Sequence, residues 1–116
     1  MKVLKKDFDL YSSILSGQCF RMIEEDDNSF TTILKDRVIN IKEDNEHLII
    51  TSSNEDNLEE IITNYFDLNT DYNSLIDKLS NKDKYMKQIS KYCIGYKIFN
   101  QDKFEMLISY IISQNN

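Results

Sequence analysis

Two short segments of the chain combine glycine, amide and charged side chains in patterns that suit recognition of another molecule. The first is Ser16-Gly17-Gln18-Cys19-Phe20-Arg21, and the second runs over residues 100–116, from Asn100-Gln101-Asp102 to Gln114-Asn115-Asn116. Gly17 is one of two glycines in the chain, and glycine permits a positive φ or a close approach of the backbone to another group. Taken singly, each segment has a plain structural explanation: a helix stop before a strand for the first, and a capped helix with a polar end for the second.

Few other residues are placed for catalysis or metal binding. Cys19 and Cys93 lie far apart and lack C-x-x-C spacing, so we expect two free thiols rather than a disulfide or a metal site. His47 is the only histidine and lies in a polar turn region, which argues against a histidine-based metal cluster or a Cys–His dyad. The sequence therefore indicates neither a metal site nor a cofactor.

Charge and hydropathy exclude several classes of protein. The 116 residues leave room for about one domain, and a net charge of −6 argues against a protein that binds nucleic acid over its whole surface. No apolar run is long enough to span a membrane and no hydrophobic signal region follows Met1, so we expect a cytoplasmic protein. A lysine series is interpreted as a solvated helix face rather than a phosphate-binding patch; it comprises Lys78, Lys82, Lys84, Lys87, Lys91, Lys97 and Lys103.

The first half of the chain is predicted to form an antiparallel sheet. Runs of β-branched and aromatic residues are separated by short polar turns, which predicts a meander of neighbouring strands. The predicted strands cover residues 3–10, 18–24, 29–35, 38–41 and 48–51, with a short helical turn over 11–15. Asp36 and Arg37 are predicted to form a two-residue hairpin turn.

The second half of the chain has helical spacing. Helices are predicted over residues 58–65 and 72–79, and from Ser80 to about residue 92. The predicted caps are Ser53 or Asn54, Asn69 or Thr70, and Ser80. Gly95 is assigned as the glycine that follows the end of the third helix. A sheet followed by helices predicts an α+β fold.

The last predicted helix is apolar nearly all round. Its apolar residues are Phe104, Met106, Leu107, Ile108, Tyr110, Ile111 and Ile112. Asp102 and Glu105 form a capping pair at its start, whereas no glycine, proline or turn marks its end. Because such a helix belongs in the middle of a fold, we expect this chain to be the front part of a larger protein. We predict self-association through the exposed face over residues 104–112, or disorder of residues 113–116. The alternative is a C-terminal helix docked on a small domain.

The order of the motifs resembles a known family. Ser16 to Arg21 is followed by Tyr-Phe-Asp-Leu over 65–68, Asp-Tyr-Asn-Ser-Leu over 71–75, and the segment over 100–116. Over residues 7–116 this pattern resembles the amino-terminal part of the 8-oxoguanine DNA glycosylase/AP lyase family, within the helix-hairpin-helix glycosylases. The resemblance implies a twisted antiparallel sheet with helices packed on one face, like half of a TATA-binding protein, over residues 1–68. Residues 69–116 then begin an α-helical domain.

The resemblance also implies roles in base-excision repair for individual residues. Family members flip the damaged base out of double-stranded DNA that carries 8-oxoguanine opposite cytosine. The glycine of the family motif, here Gly17, places its backbone carbonyl against the N7–H of the flipped base. The matching asparagines, Asn115 and Asn116, fill the space left in the duplex and support that loop. Phe20 is assigned to the core, and Arg21 to a contact with a sheet face or a helix end.

The family's catalytic residues have no match in this chain. The nucleophilic lysine of the family follows a glycine-rich hairpin and precedes an aspartate, and the sequence contains no such hairpin. We therefore assign no catalytic residue and expect the chain alone to be inactive. The alternative function is a stand-alone, non-catalytic module that binds protein or DNA; the acidic net charge favours a protein partner in that case.

Overall fold

A computed structural model describes residues 1–114 of the protein. It shows the predicted α+β fold, with a five-stranded antiparallel sheet in the order β1-β5-β4-β3-β2. The strands are β1 (Lys2–Leu4), β2 (Ile23–Glu24), β3 (Phe30–Leu34), β4 (Arg37–Glu43) and β5 (His47–Ser52). The helices are α1 (Leu10–Ser13), α2 (Leu58–Tyr65), α3 (Tyr72–Ser80), α4 (Lys84–Ser90) and α5 (Lys103–Gln114). Within residues 1–114, none of the helices has the length and apolar character needed to cross a membrane.

One face of the sheet is buried because apolar residues alternate along its central strands. Phe30 pairs with Ile41 and Ile41 with Ile50, so the three side chains share one face, and each is at most 2% exposed. Phe66, directly after α2, belongs to the same buried cluster, and its ring meets that of Phe99 edge-on with 4.9 Å between centroids. Phe99 therefore anchors the segment that leads into α5 to the core.

The predictions for the three inner strands are confirmed, but those for the two edge strands are too long. The strand predicted over 3–10 ends at Leu4, because Lys6 and Asp7 take φ angles of 34° and 50° that do not suit a strand. The strand predicted over 18–24 is reduced to β2, because a π-helical turn over Ile14–Gln18 continues from α1. As a result, residues 19–22 connect this turn to the sheet without joining it.

The hairpin between β3 and β4 turns one residue earlier than predicted. Leu34 pairs with Arg37, so Lys35 and Asp36 form the turn, and Lys35 takes a φ of 54°. Arg37 is drawn into the strand because its buried guanidinium donates to the carbonyls of Asn54 and Asp56, at 3.0 Å and 2.6 Å. These long-range contacts explain why Arg37 is not a turn residue.

The helix caps also differ from the prediction. Asp71 caps α3 by accepting from the Ser74 amide at 3.1 Å, and Asp83 caps α4 in the same way. The predicted caps Asn69 or Thr70, and Ser80, are therefore wrong by one to three positions. The residue before α2 is Asn57, which has a left-handed backbone and makes no side-chain capping bond, so the prediction of Ser53 or Asn54 is also wrong. Aspartate, asparagine, serine and threonine all accept hydrogen bonds from the first amides of a helix. Which of them is the cap therefore depends on the residue at which the helix begins.

Gly95 has a different role from the one predicted. The third helix of the prediction corresponds to α4. It ends at Ser90, five residues before Gly95, so Gly95 does not terminate it. Gly95 takes a φ of 87° and lies directly against Asp9, whose amide donates to its carbonyl at 2.8 Å. An added Cβ would come within 2.9 Å of the Asp9 Cβ. Gly95 therefore permits a close approach between the connector after α4 and the start of α1.

The apolar helix α5 lies on the surface of this chain. None of its twelve residues is buried, and Phe104 and Leu107 are 72% and 55% exposed. The exposed apolar face expected for the front part of a larger protein is confirmed, whereas a position in the middle of the fold is not found within this chain. Self-association through residues 104–112 remains a prediction. Ser113 and Gln114 are helical in α5 rather than disordered, and Asn115 and Asn116 lie outside the described residues.

Candidate functional site

Gly17 lies in an exposed turn whose backbone only glycine adopts without strain. The π-helical turn Ile14–Gln18 follows α1, and Gly17 has φ 87° and ψ 9°, in the left-handed region. A Cβ placed on Gly17 would meet no atom within 4 Å. Glycine is therefore required here by backbone conformation rather than by packing within the chain, and the surrounding space is open to an incoming group.

The side chain of Gln18 connects this turn to the segment before α5. Its Nε2 donates to the carbonyls of Ser13 and Lys97, at 3.0 Å and 2.8 Å. Its Oε1 accepts from the amide of Phe99 at 2.8 Å. The Gln18 amide thus joins α1 and its turn to residues 97–99, about eighty positions along the chain.

The two segments singled out in the sequence meet at this point. Gln101 donates from its side chain to the backbone carbonyl of Gln18. The next residue, Asp102, accepts from the Glu105 amide at 2.8 Å and thereby caps the first turn of α5. The structure therefore brings the Gly17 turn and the beginning of the 100–116 segment into contact, whereas Asn115 and Asn116 lie outside the described residues.

Arg21 and Phe20 differ in how well they match their predicted roles. Arg21 donates to the Ile33 carbonyl at 3.3 Å and pairs with Glu105 in the first turn of α5, which places it at both a strand and a helix end. Phe20 is 62% exposed, so its assignment to the core is wrong. Because residues 19–22 do not join the sheet, the alternation that would bury Phe20 does not apply.

A cleft of about 190 Å³ lies beside this junction, between β3, the end of α2 and the start of α5. Cys19, Arg21, Tyr65, Gln101 and Glu105 are among its lining residues. Burial raises the pKa of the Cys19 thiol, and burial, with smaller effects from Cys19 and Glu105, raises the pKa of Tyr65. Both groups therefore stay protonated near neutral pH, and neither is an activated nucleophile.

Lys97 is a structural residue that the sequence interpretation misplaced. It was grouped with a solvated helix face, yet it lies outside the helices and is only 3% exposed. Its ammonium donates to the carbonyls of Asp67 and Thr70, both at 3.3 Å, and lies 4.2 Å from the centroid of the Tyr72 ring. Burial lowers the pKa of Lys97, and nearby acidic groups oppose that shift. Lys97 therefore fixes the segment over residues 97–99, whose backbone forms hydrogen bonds with the Gln18 side chain.

Both cysteines are free thiols, Cys19 partly buried and Cys93 exposed. Among residues 1–114, no three His, Cys, Asp or Glu side chains are grouped to hold a metal ion. The sequence interpretation missed Gln18, Gln101 and Lys97 as site-forming residues. A signal was present for Gln18 and Gln101, because each lies in one of the two segments singled out in the sequence. None was present for Lys97, because no spacing rule links residues so far apart along a chain.

Comparisons with known proteins extend this picture. The family model described as "8-oxoguanine DNA glycosylase, N-terminal domain" matches residues 1–107. The fold is similar to that of MBOgg1 in complex with a low-affinity DNA ligand, with a TM-score of 0.83 and 44% identity over 95% of this chain and 38% of that chain.

Two structures from Clostridium acetobutylicum are also similar to this chain. The first is the 8-oxoguanine glycosylase/lyase in its apo-form, with a TM-score of 0.82, 31% identity, and coverage of 100% of this chain and 44% of that one. The second is the same enzyme with double-stranded DNA containing cytosine opposite 8-oxoG, with a TM-score of 0.83, 32% identity, and coverage of 100% and 43%. The chain thus spans about two fifths of the length of these solved structures.

Proposed function

This chain belongs to the family of 8-oxoguanine DNA glycosylase N-terminal domains, and we propose that it supplies lesion-recognition contacts to a base-excision-repair glycosylase/AP lyase that removes 8-oxoguanine from DNA. The observation that carries the proposal is the exposed Gly17 turn. Its backbone conformation would be strained for any residue with a side chain, and the space around it is open. The proposed substrate is double-stranded DNA with 8-oxoguanine opposite cytosine. The proposed location is the cytoplasm, in association with the nucleoid.

The proposed chemistry at Gly17 is recognition of one proton. 8-Oxoguanine carries a hydrogen on N7, whereas guanine has a lone pair there. A fixed backbone carbonyl accepts from the N7–H of the lesion and opposes the lone pair of the normal base. An unpaired or opposed buried polar group costs about 1–3 kcal/mol, which corresponds to roughly tenfold to hundredfold selectivity. The open space around Gly17 allows a base to approach the backbone closely.

The proposed division of the chain follows from this role. Residues 1–68 form the sheet unit with α2, and residues 69–116 begin the helical domain. We assign Asn115 and Asn116 to the space that the flipped base leaves in the duplex, where an amide offers both donors and an acceptor. The sequence holds no glycine-rich hairpin before a lysine, so we assign no catalytic residue and propose that the 116-residue chain does not cut DNA.

Borohydride trapping on a duplex containing 8-oxoguanine tests the catalytic part of this proposal. We expect no covalent adduct, because a Schiff base needs a lysine amine placed at C1′. A trapped adduct formed by the 116-residue chain would overturn the assignment.

Anisotropy titrations with matched duplexes, identical except for guanine or 8-oxoguanine opposite cytosine, test recognition. Tighter binding of the lesion duplex, reduced by Gly17→Ala, is the expected result, and equal binding of both duplexes would contradict it.

A non-catalytic protein-binding module is the second candidate function. The net charge of −6 and the exposed apolar face of α5 favour it over a DNA-binding module. A salt titration distinguishes the two functions, because phosphate contacts make affinity fall steeply with salt. DNA affinity that is weak, insensitive to the lesion and insensitive to salt would favour the protein-binding module.

A further inference from the structure

We propose that Gln18 is a positioning residue that holds the Gly17 carbonyl in one orientation and ties it to the start of α5. The order that Gln18 imposes on the turn is a property of this chain alone. Its consequence for lesion selectivity rests on the proposed function.

Packing does not fix the Gly17 peptide. Gly17 is exposed, and a Cβ on it would have no neighbour within 4 Å. Glycine also has more accessible backbone conformations than any other residue. The Gly17 carbonyl and the backbone N–H of Gln18 belong to one planar peptide unit. Contacts that anchor Gln18 therefore restrict the direction of the Gly17 carbonyl.

The Gln18 side chain has the anchors that packing lacks. Its Nε2 faces the carbonyls of Ser13 and Lys97, with the Ser16 hydroxyl at 3.3 Å as a third, weaker partner. Its Oε1 receives the Phe99 amide. Both donor hydrogens and the acceptor are therefore used, and no other side chain of this length supplies two donors and an acceptor together. The amide group, rather than side-chain volume, is what the position requires.

The anchors of Gln18 are themselves rigid. Phe99 is 5% exposed within the core, and the Lys97 ammonium is held by two backbone carbonyls. The backbone carbonyl of Gln18 accepts from Gln101, which precedes the Asp102 cap of α5. The Gly17 turn and the first turn of α5 are thus positioned against one another through Gln18.

Selective labelling makes the proposal testable on the 116-residue chain. The sequence has two glycines, so 1-¹³C,¹⁵N-glycine yields two carbonyl and two amide resonances. Gly95 serves as an internal reference for folding, because its carbonyl accepts from the Asp9 amide before α1 and from the Ser13 hydroxyl at the end of α1. In the wild type we expect one sharp Gly17 carbonyl resonance, with an order parameter of about 0.85.

Two variants separate hydrogen bonding from bulk. Gln18→Met keeps the length but removes every side-chain hydrogen bond, and we expect the order parameter of Gly17 to fall below about 0.6 while Gly95 stays unchanged. Gln18→Glu has no donor when ionised and places a carboxylate against two carbonyls. We expect disorder of Gly17 near pH 8 and recovery as the pH falls and the carboxyl becomes protonated, because the protonated form donates one hydrogen bond; the wild type across the same range is the control.

The outcomes distinguish the positioning role from the proposed function. A Gly17 resonance in Gln18→Met with wild-type shift and order, or a Gln18→Glu variant with no pH-dependent recovery, would overturn the proposal. If Gln18→Met fails to fold, shown by loss of the Gly95 resonance, the pH series on Gln18→Glu decides. Addition of the 8-oxoguanine duplex to the wild type is a separate readout: no shift at Gly17 would contradict the proposed function and leave the positioning role intact.

Discussion

Arg21 and Glu105, eighty-four positions apart, form a two-point ion pair that joins the segment after Gly17 to the first turn of α5. The Arg21 Nη2 lies 2.8 Å from one Glu105 oxygen, and its Nε contacts the other. Such a fork-to-carboxylate geometry is specific to arginine. Because α5 has no buried residue, its start is held largely by polar contacts of this kind.

The ion pair is expected to control local order in α5 more than global stability. Arg21→Lys keeps the charge but loses the fork, and both partners are partly exposed, so we expect less than about 1 kcal/mol of change in the free energy of unfolding. Hydrogen exchange over residues 103–108 should rise, as measured by mass spectrometry. Lys42→Met, which removes an exposed ion pair with Asp27, is the control. Unchanged exchange at α5 in Arg21→Lys would contradict the prediction.

The two glycines should respond differently to alanine. Gly17→Ala places a Cβ in open space at a φ of 87°, so only backbone strain of about 1–2 kcal/mol is expected. Gly95→Ala adds the same strain and a 2.9 Å contact with the Asp9 Cβ, so its loss of stability should be larger. Urea unfolding of both variants measures the difference. Equal losses would show that the contact between Gly95 and Asp9 relaxes without cost.

Acid stability should depend on the cap of α3. Hydrogen bonds from the Ser74 hydroxyl and amide lower the pKa of Asp71 below its ordinary value of 3.8. A lowered folded pKa means that the stabilisation is fully present above about pH 4–5 and is lost as pH falls through the folded pKa. Ser74→Ala should therefore move the pKa of Asp71 back toward 3.8, as followed by ¹³C NMR titration of its carboxyl.

Asp71→Asn provides the matched stability measurement. Asparagine still accepts from the Ser74 amide but does not titrate near pH 4. The free energy of unfolding should therefore fall less steeply below pH 4 than in the wild type. Asp27, Asp36 and Asp44 also have lowered pKa values, so a residual acid dependence is expected. If the free energy of unfolding of Asp71→Asn fell as steeply below pH 4 as that of the wild type, Asp71 would not contribute to acid stability.

Self-association should occur through the exposed face of α5. Phe104, Leu107 and Ile108 are 72%, 55% and 40% exposed on one helix face, and exposed apolar patches drive association. We expect the mass from light scattering to rise with concentration in the wild type and to stay near 13.8 kDa in Leu107→Lys. Ile23→Lys, at an exposed apolar position in β2, is the control and should behave as the wild type does. A monodisperse wild-type monomer with α5 ordered would contradict the prediction.

Features that depend on neighbouring residues were predictable from the sequence. The alternation in β3, β4 and β5 and the 3.6-residue spacing in α2 and α3 placed these elements correctly, because burial of one face leaves a periodic pattern. Errors at the caps were small, since Asp71 and Asp83 compete with nearby polar residues of similar capping strength. The errors at Arg37 and Phe20 have a different cause, because contacts outside the local sequence decide where each side chain lies. Arg37 is buried by its bonds to Asn54 and Asp56, whereas Phe20 is exposed because its segment does not join the sheet.

The family and the proposed role of Gly17 were reached from the sequence, because the order of the motifs and the single glycine in the first motif can be read along the chain. The roles of Gln18 and Lys97 do not follow from the sequence, and neither does the identity of the Arg21 partner, Glu105. These contacts span 79, 27 and 84 positions, and no periodicity connects the residues. Folding the sheet and α2 around Phe66 and Phe99 brings these partners within hydrogen-bonding distance. Long-range packing of the core therefore assembles the turn that local sequence only marks.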